Sequence, residues 1–316
     1  MKQVTLLHNP NAGDEEHNKK ELRSLLKRNG WECRYFSTKE RGWKNFETDT
    51  DLLAIAGGDG TVRKAIKNLL ERKNKIKKLP PIAVIPLGTA NNIGNTLGIK
   101  GNPGEIISLW RNSEVQKFDL GRIHNIAEAK FFLEGFGIGI FPWLMKKTAD
   151  RDDNNTTIEG RIKEDLNLLH DVISSYRPVH CKLEVDGTDH SGEFILTEIM
   201  NTKSIGPGLV LSPQADPGDG ELEVILIPES HKQKFADYLE SKMNGTEETY
   251  QYHTLKAKNI SISWQSNDVH VDDEIFDMEE LHEAKIEVKA GLLEFLVPQQ
   301  KTTDEKKLVS SLKDKH

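Results

Sequence analysis

The stretch Gly57-Gly58-Asp59-Gly60-Thr61 follows an apolar run, Leu52 to Ala56, and leads into a helical pattern from Val62 to Leu70. Glycines let a backbone approach a phosphate closely, and the amides at a helix N-terminus favour negative charge. Asp59 adds a carboxylate of the kind that binds magnesium or orders a loop. A plain strand-to-helix turn would also use glycine. The aspartate between glycines at a buried strand end favours a phosphate-binding loop.

Short apolar runs alternate with helical patterns on both sides of this stretch, which predicts a parallel sheet with helices on both faces. We therefore predict an α/β domain over residues 1–120. Its other predicted elements are strands at Val4 to Leu7, Trp31 to Phe36 and Ile82 to Ile85, and a helix at Lys19 to Arg28.

From about Lys117 the pattern changes to short strands separated by turn residues, which predicts an antiparallel β-sandwich over residues 121–298. A polar stretch from Lys146 to Arg161 is predicted as a loop before a helix at Ile162 to Ser174, and residues 299–316 as a polar tail. The predicted strands are Lys182 to Val185, Glu193 to Met200, Leu222 to Ile227, Asn259 to Trp264, Val269 to Val271, Ala284 to Lys289 and Leu293 to Val297.

Two more polar loops follow strands of the first domain, Asn9 to Gly13 and Pro86 to Asn92. Ligands of open parallel sheets bind beyond the carboxyl ends of the strands, so all three loops would border one crevice. Thr89 can donate its hydroxyl to a phosphate. Asn91 can bind a phosphate or a base, or simply belong to an asparagine-rich turn. Together the three loops indicate a nucleotide site.

The bulk composition excludes several classes of protein. The net charge of −7 argues against nucleic acid as a partner, because that partner requires a dominant basic surface. Two cysteines are too few for a disulfide scaffold and indicate a reducing cytoplasm. No apolar run reaches the length of a signal-peptide core or a transmembrane helix. The chain also lacks a Walker A lysine motif and a Gly-x-Gly-x-x-Gly turn after its first strand.

The three loops resemble, in order and spacing, the ATP-site motifs of the diacylglycerol-kinase catalytic family. The likeness continues through Phe118 to Gly121, Glu134 to Gly137, Pro213 to Leu222 and Val271 to Glu274. This family includes bacterial lipid kinases and sphingosine and ceramide kinases, and it shares its nucleotide domain with NAD kinases and phosphofructokinases. The resemblance implies the same α/β fold followed by a β-sandwich that completes the acceptor site.

Transferred residue by residue, the resemblance implies an ATP site with Asp59 near the catalytic Mg²⁺. The ATP-site residues are Asn9, Gly13, Thr38, Gly57, Gly58, Asp59, Gly60, Thr61, Thr89 and Asn91. The turn from Asp216 to Glu221 resembles a structural magnesium site of bacterial lipid kinases, with the carboxylates of Asp216 and Asp219 and the backbone carbonyl of Glu221 as ligands. Oxygen ligands suit magnesium or calcium, although an acidic turn before a strand would look the same.

The family's catalytic base is the aspartate of an Asp-Gly-Glu run, whose ends match Asp272 and Glu274. A carboxylate there can accept the proton of the acceptor hydroxyl as its oxygen attacks the γ-phosphorus. Two departures stand out: Asn92 occupies a position where the family usually has Asp, and Asp273 one where it usually has Gly. These changes question the acceptor's identity and the level of activity.

We therefore predict an ATP- and Mg²⁺-dependent lipid kinase of phospholipid metabolism. Diacylglycerol is the default acceptor, and other lipids or a non-lipid polyol remain open. Such a protein would be cytoplasmic, would visit the membrane surface transiently as a peripheral enzyme, and could form a homodimer. The alternatives are a catalytically weak nucleotide-binding protein of the same fold and an NAD kinase.

Overall fold

The computed structural model describes residues 2–12, 17–73, 78–151, 157–246, 253–277 and 283–299. Gly13 and residues 300–316 of the predicted polar tail lie outside the described residues, as do residues 152–156 of the predicted loop. Within the described residues, no helix is long and apolar enough to cross a bilayer.

The first part of the chain forms a parallel sheet with strand order β2-β1-β3-β4. Helices α1 and α2 connect β1 to β2 and β3 to β4, so these crossovers run in opposite directions from the sheet centre. Since such crossovers are right-handed, the two helices cover opposite faces, as predicted. The elements are β1 Lys2–His8, α1 Lys19–Arg28, β2 Trp31–Ser37, β3 Leu52–Gly57, α2 Asp59–Glu71, β4 Ile82–Pro86, α3 Asn92–Thr96 and α4 Pro103–Leu109.

The remaining strands are mainly antiparallel and build the sandwich, with three helices packed against it. Its strands are β5 Ser113–His124, β6 Phe131–Phe132, β7 Gly135–Gly139, β8 Val179–Val185, β9 Thr188–Asp189, β10 Gly192–Met200, β11 Ser204–Ile205, β12 Leu209–Val210, β13 Leu222–Pro228, β14 His253–Ala257, β15 Asn259–Trp264, β16 Asp268–Val271, β17 Glu274–Asp277 and β18 Glu283–Pro298. Its helices are α5 Ile140–Thr148, α6 Ile158–Ile173 and α7 Lys232–Met243.

Strand β18 joins the two parts into one continuous sheet. It pairs with β15 near its start, with β5 along its length and with β4 at Phe295. Leu293, Phe295 and Val297 are buried in the same core as β1, β3 and β4. The sheet therefore continues from the first part of the chain into the second, and the predicted division at residue 120 falls inside β5.

Several predicted boundaries differ from the structure. Helix α2 already begins at Asp59, because Gly58 is the extended N-cap residue. The predicted loop from Lys146 to Arg161 overlaps the end of helix α5 and the start of helix α6. The two strands predicted between Ala284 and Val297 form one strand, β18, with a register shift between Lys289 and Leu293. Helix α7 was not predicted.

Candidate active site

The predicted phosphate-binding loop, Gly57 to Thr61, and the loop after β4 are in backbone contact. A Cβ on Gly88 would lie 2.4 Å from the Cα of Gly58, a distance that no side chain can accommodate. Leu87 N also donates to Gly57 O at 3.0 Å. Glycine is therefore required at position 88, and a Cβ on Gly58 would be tightly packed, 3.0 Å from Gly88 Cα. The two predicted nucleotide loops thus form one surface.

Asn9, at the end of β1, links the other predicted residues of this edge. Its Nδ2 donates to Thr61 Oγ1 at 3.2 Å, and its Oδ1 accepts from Thr38 Oγ1 at 3.4 Å. Its backbone N donates to Ala56 O at 2.9 Å. The site lies between β1 and β3, where the connections leave in opposite directions, and this is where open α/β sheets bind their ligands.

The Asp59 carboxylate ties the first turn of α2 to the start of α3. Its Oδ2 accepts from Asn92 N at 3.0 Å and its Oδ1 accepts from Ile93 N at 3.1 Å. Burial raises the pKa of Asp59, while these two amides act in the opposite direction. Asp59 therefore orders the loop, whatever it binds.

Asn91 and Thr89 are placed differently in the loop after β4. The side chain of Asn91 accepts from Gly88 N at 2.9 Å and donates to Gly88 O at 2.7 Å. Asn91 thus holds its own loop in shape with a left-handed backbone, φ 51°. Thr89 is exposed. A role for either in binding ATP stays a prediction.

The predicted base, Asp272, has a carboxylate that is 1% exposed and held by backbone amides of the segment before β7. Its Oδ1 accepts from Leu133 N at 3.0 Å, Glu134 N at 2.8 Å and Gly135 N at 3.2 Å. Its Oδ2 accepts from Arg63 Nε at 2.8 Å. Burial raises the pKa of Asp272 to about 6, although Arg63 and the amides act to lower it.

Arg63 of α2 connects the nucleotide loop with the predicted catalytic pair. Besides its contact with Asp272, its Nη1 lies 2.5 Å from Glu274 Oε2. The Arg63 side chain is 4% exposed, whereas that of Glu274 is 38% exposed. The structure thus brings Asp272 and Glu274 to the same helix that begins in the predicted phosphate-binding loop.

Two further carboxyl groups, those of Asp273 and Glu134, lie near Arg63 and Asp272. Asp273, in place of the family's usual glycine, lies over the first turn of α2, and a Cβ on Gly60 would be 2.3 Å from its Oδ2. Glu134 is buried, and burial together with Asp59 and Asp272 raises its pKa well above the usual value. The side chain of Asn92 donates to Glu134 and so opposes that rise.

Lys256 lies beside the acidic turn that was predicted to bind magnesium and pairs with Asp219, one of the two predicted carboxylate ligands. Lys256 Nζ lies 2.5 Å from Asp219 Oδ2 and 3.5 Å from Glu221 Oε2. Asp216 accepts from the backbone N of Gly218 at 3.0 Å. Among the described residues, no group of three or more His, Cys, Asp or Glu side chains could hold a metal ion. The magnesium site at this turn stays a prediction.

Two family models match the two parts of the chain. The diacylglycerol kinase catalytic domain matches residues 3–123, and the YegS C-terminal NAD kinase beta sandwich-like domain matches residues 147–296. The chain belongs to the diacylglycerol-kinase catalytic family. It is therefore a phosphotransferase with an alcohol group as acceptor, in a family of lipid kinases.

Relatives of this diacylglycerol-kinase family member support the assignment along the chain. A diacylglycerol kinase of Bacillus subtilis (strain 168) is 26% identical over 84% of this chain and 89% of its own length. A diacylglycerol kinase of Staphylococcus aureus (strain MRSA252) is 24% identical over 86% of each. The crystal structure of a diacylglycerol kinase from Bacillus anthracis str. Sterne shares the fold, with a TM-score of 0.69 and 24% identity over 94% of this chain and 97% of that one.

Sequence reasoning gave no role of their own to Glu134, Glu198 and His270, and it placed Arg63 only by resemblance, at the end of the range 57–63 that would contact ATP. The structure pairs Arg63 with Asp272. Buried charged residues are rarely left unpaired, so an arginine on the apolar face of α2 was the available signal. Its partner, however, lies 209 residues away in the sequence, and no local pattern identifies such a pairing.

Proposed function

We propose that this protein transfers the γ-phosphoryl group of ATP to a hydroxyl of a lipid acceptor, with diacylglycerol as the default. The observation that carries the proposal is the Arg63–Asp272 ion pair at 2.8 Å. It sets a buried carboxylate of the second domain against the helix whose first turn is the phosphate-binding loop. ATP would lie along Asn9, Thr38, Gly57 to Thr61 and Thr89.

In this mechanism the acceptor oxygen attacks the γ-phosphorus while its proton passes to Asp272. The new oxygen–phosphorus bond replaces the bond to the β-phosphate oxygen, and ADP leaves. Oδ1 of Asp272 accepts from three amides, whereas Oδ2 accepts from Arg63 Nε and more weakly from Leu133 N at 3.1 Å, so Oδ2 is the oxygen that we propose takes the proton. Arg63 orients that oxygen, and the positive charge beside it favours the ionised form before transfer.

Magnesium enters the proposal as part of the MgATP co-substrate. Mg²⁺ is usually held by one or two carboxylates together with substrate phosphates, and Asp59 is the carboxylate within the phosphate-binding loop. The ion would screen the charge that spreads over the phosphoryl oxygens.

The acceptor reaches the site from a membrane surface in this proposal, so the protein would act as a peripheral enzyme. The experiment measures transfer of labelled γ-phosphate from ATP, with magnesium, to a panel of lipids in detergent micelles. The wild type is compared with Asp272→Asn, which keeps the size of the side chain. The control is Thr50→Ala. Thr50 precedes β3, at the end of that strand opposite the predicted phosphate-binding loop.

A labelled lipid that is formed by the wild type and by Thr50→Ala, but not by Asp272→Asn, would support the proposal and identify the acceptor class. Tight ATP binding with no labelled lipid would favour the catalytically weak nucleotide-binding protein. Phosphorylation of NAD in a parallel spectrophotometric assay would favour an NAD kinase.

A further inference from the structure

His270 and Glu198 form a buried pair directly behind Asp272. His270 Nε2 lies 3.0 Å from Glu198 Oε2, and the two side chains are 2% and 0% exposed. Isolated buried charges are costly. Glu198 Oε2 has His270 as its partner, whereas Glu198 Oε1 is buried without a hydrogen-bond partner among the described residues. No step of the proposed transfer uses either residue.

The backbone around this pair leaves no space for a side chain at positions 135 and 137. A Cβ on Gly137 would lie 2.0 Å from Glu198 Oε2 and 2.4 Å from His270 Nε2. A Cβ on Gly135 would lie 2.7 Å from Glu198 Oε1. The two glycines of the Glu134 to Gly137 run therefore make the space in which the carboxyl of Glu198 meets the imidazole of His270.

The other ring nitrogen of His270 reaches the backbone of Asp272. Nδ1 lies 3.1 Å from the carbonyl oxygen of Asp272, which can only accept, so Nδ1 must carry a proton and donate. Asp272 has φ 54°, a left-handed conformation that is uncommon outside glycine, asparagine and aspartate. Its N donates to Gly135 O at 2.8 Å. The backbone of Asp272 is thus held on both sides.

The hydrogen bond between His270 Nε2 and Glu198 Oε2 requires one proton, which these two atoms share. Burial acts to lower the pKa of His270, but the Glu198 carboxylate and Asp272 together outweigh it and raise that pKa. Burial raises the pKa of Glu198 as well. Either location of the shared proton leaves Nδ1 protonated and facing Asp272.

We propose that His270, oriented by Glu198, is a positioning residue that fixes the backbone of Asp272 and so aims its carboxylate at the acceptor hydroxyl. The proposal rests on the proposed function of Asp272 as the base. It differs from a purely structural role, in which the pair would stabilise the sandwich and activity would follow stability.

Two substitutions of His270 distinguish the positioning role from the purely structural role, because each variant keeps one of the two contacts of His270. In His270→Asn the side-chain amide can replace Nδ1 and still donate to Asp272 O, while contact with Glu198 is lost. In His270→Gln the amide can replace Nε2 and still donate to Glu198, while the bond to Asp272 O is lost. The control is His180→Gln, which alters an exposed His–Glu contact at 3.1 Å with Glu193 on β10.

We expect His270→Gln to lower kcat by roughly tenfold to a hundredfold with KM for ATP unchanged, since small misplacements of a reacting group have effects of this size. His270→Asn should lose less kcat but more thermal stability, because Glu198 then stays buried without a partner. A loss of kcat that follows the loss of stability in both variants would overturn the proposal.

Hydrogen exchange of the amides of Leu133, Glu134 and Gly135 tests the same proposal without activity. These amides donate to the Asp272 carboxylate, so their protection reports its position. Protection that falls in His270→Gln and persists in His270→Asn would support the positioning role. This result would hold even if the wild type phosphorylates no lipid, because that second outcome would refute only the kinase function. Equal protection in both variants would overturn the positioning role.

Discussion

At the scale of single residues, Asp272 combines two opposing influences. Three amides and Arg63 stabilise its anion, yet burial prevails and raises its pKa to about 6. A base with this pKa is ionised at neutral pH and still accepts a proton readily. The same groups that hold the carboxylate also fix its direction, so its basicity and its geometry have a common origin.

The pH dependence of transfer should therefore show the ionisation of Asp272. In the proposed mechanism the ionised carboxylate is the active form, so we expect kcat/KM to fall about tenfold per pH unit below about pH 6. Arg63 lowers this pKa, and Arg63→Gln should move the fall to higher pH. ATP binding measured over the same range is the control. A profile that is flat between pH 5 and 7 would contradict Asp272 as the base.

Asn92 is buried and satisfied as an amide. Its Oδ1 accepts from Ser204 Oγ at 2.7 Å and its Nδ2 donates to Gly206 O at 3.3 Å. Its side chain also donates to Glu134. This chain therefore uses the amide where the family usually has Asp, because the amide can donate to a neighbouring carboxyl.

Restoring the acid by Asn92→Asp should destabilise the protein, since a buried donor is lost and a carboxylate faces Glu134. We expect a loss of about 1–3 kcal/mol in the free energy of unfolding. The new carboxyl would have a raised pKa in the folded state, so the loss should be smaller at pH 5 than at pH 8. Denaturant unfolding at both values measures this, with the exposed Asn95→Asp as control. An equal loss at both values would show that repulsion is not the cause.

At the scale of elements, the loops after β1, β3 and β4 were predictable because each follows a buried strand and a parallel sheet brings such ends together. The start of α2 was not, since a glycine-rich sequence has weak helix propensity and tertiary contacts decide the boundary. The two-residue turn between β16 and β17 holds Asp272 and Asp273. Its contact with α2 depends on folding of both domains, which no local pattern contains.

The contact of Gly88 with Gly58 makes a specific prediction. In Gly88→Ala the new Cβ would lie 2.4 Å from Gly58 Cα, so the two loops must separate. Overpacking of this kind costs about 1–3 kcal/mol, and we expect ATP affinity to fall about tenfold or more. Calorimetric titration with ATP measures it. Gly104→Ala in α4, where the nearest atom is 3.2 Å away, is the control, and unchanged affinity in Gly88→Ala would show that the loops do not need this contact.

At the scale of the whole molecule, β18 is the structural link between nucleotide domain and sandwich. Two short strands were predicted there because polar residues and Gly291 interrupt the apolar pattern, but pairing with β5 continues beyond the register shift. Phe295 near its end has no exposed surface and packs on Phe118 with ring centroids 4.7 Å apart. The last of the described strands thus completes the core of the first domain.

Removing this contact should weaken both domains together. Phe295→Ala is expected to cost about 3–5 kcal/mol in the free energy of unfolding, and the unfolding followed by circular dichroism and by tryptophan fluorescence should shift equally. Tryptophan fluorescence reports on both domains, because Trp31 lies in the core of the first domain and Trp264 in the core of the second. Val115→Ala, 50% exposed on the neighbouring strand β5, should change stability by less than about 0.5 kcal/mol. Two separate transitions, with only the first shifted, would mean that β18 joins the sheets without coupling the stability of their domains.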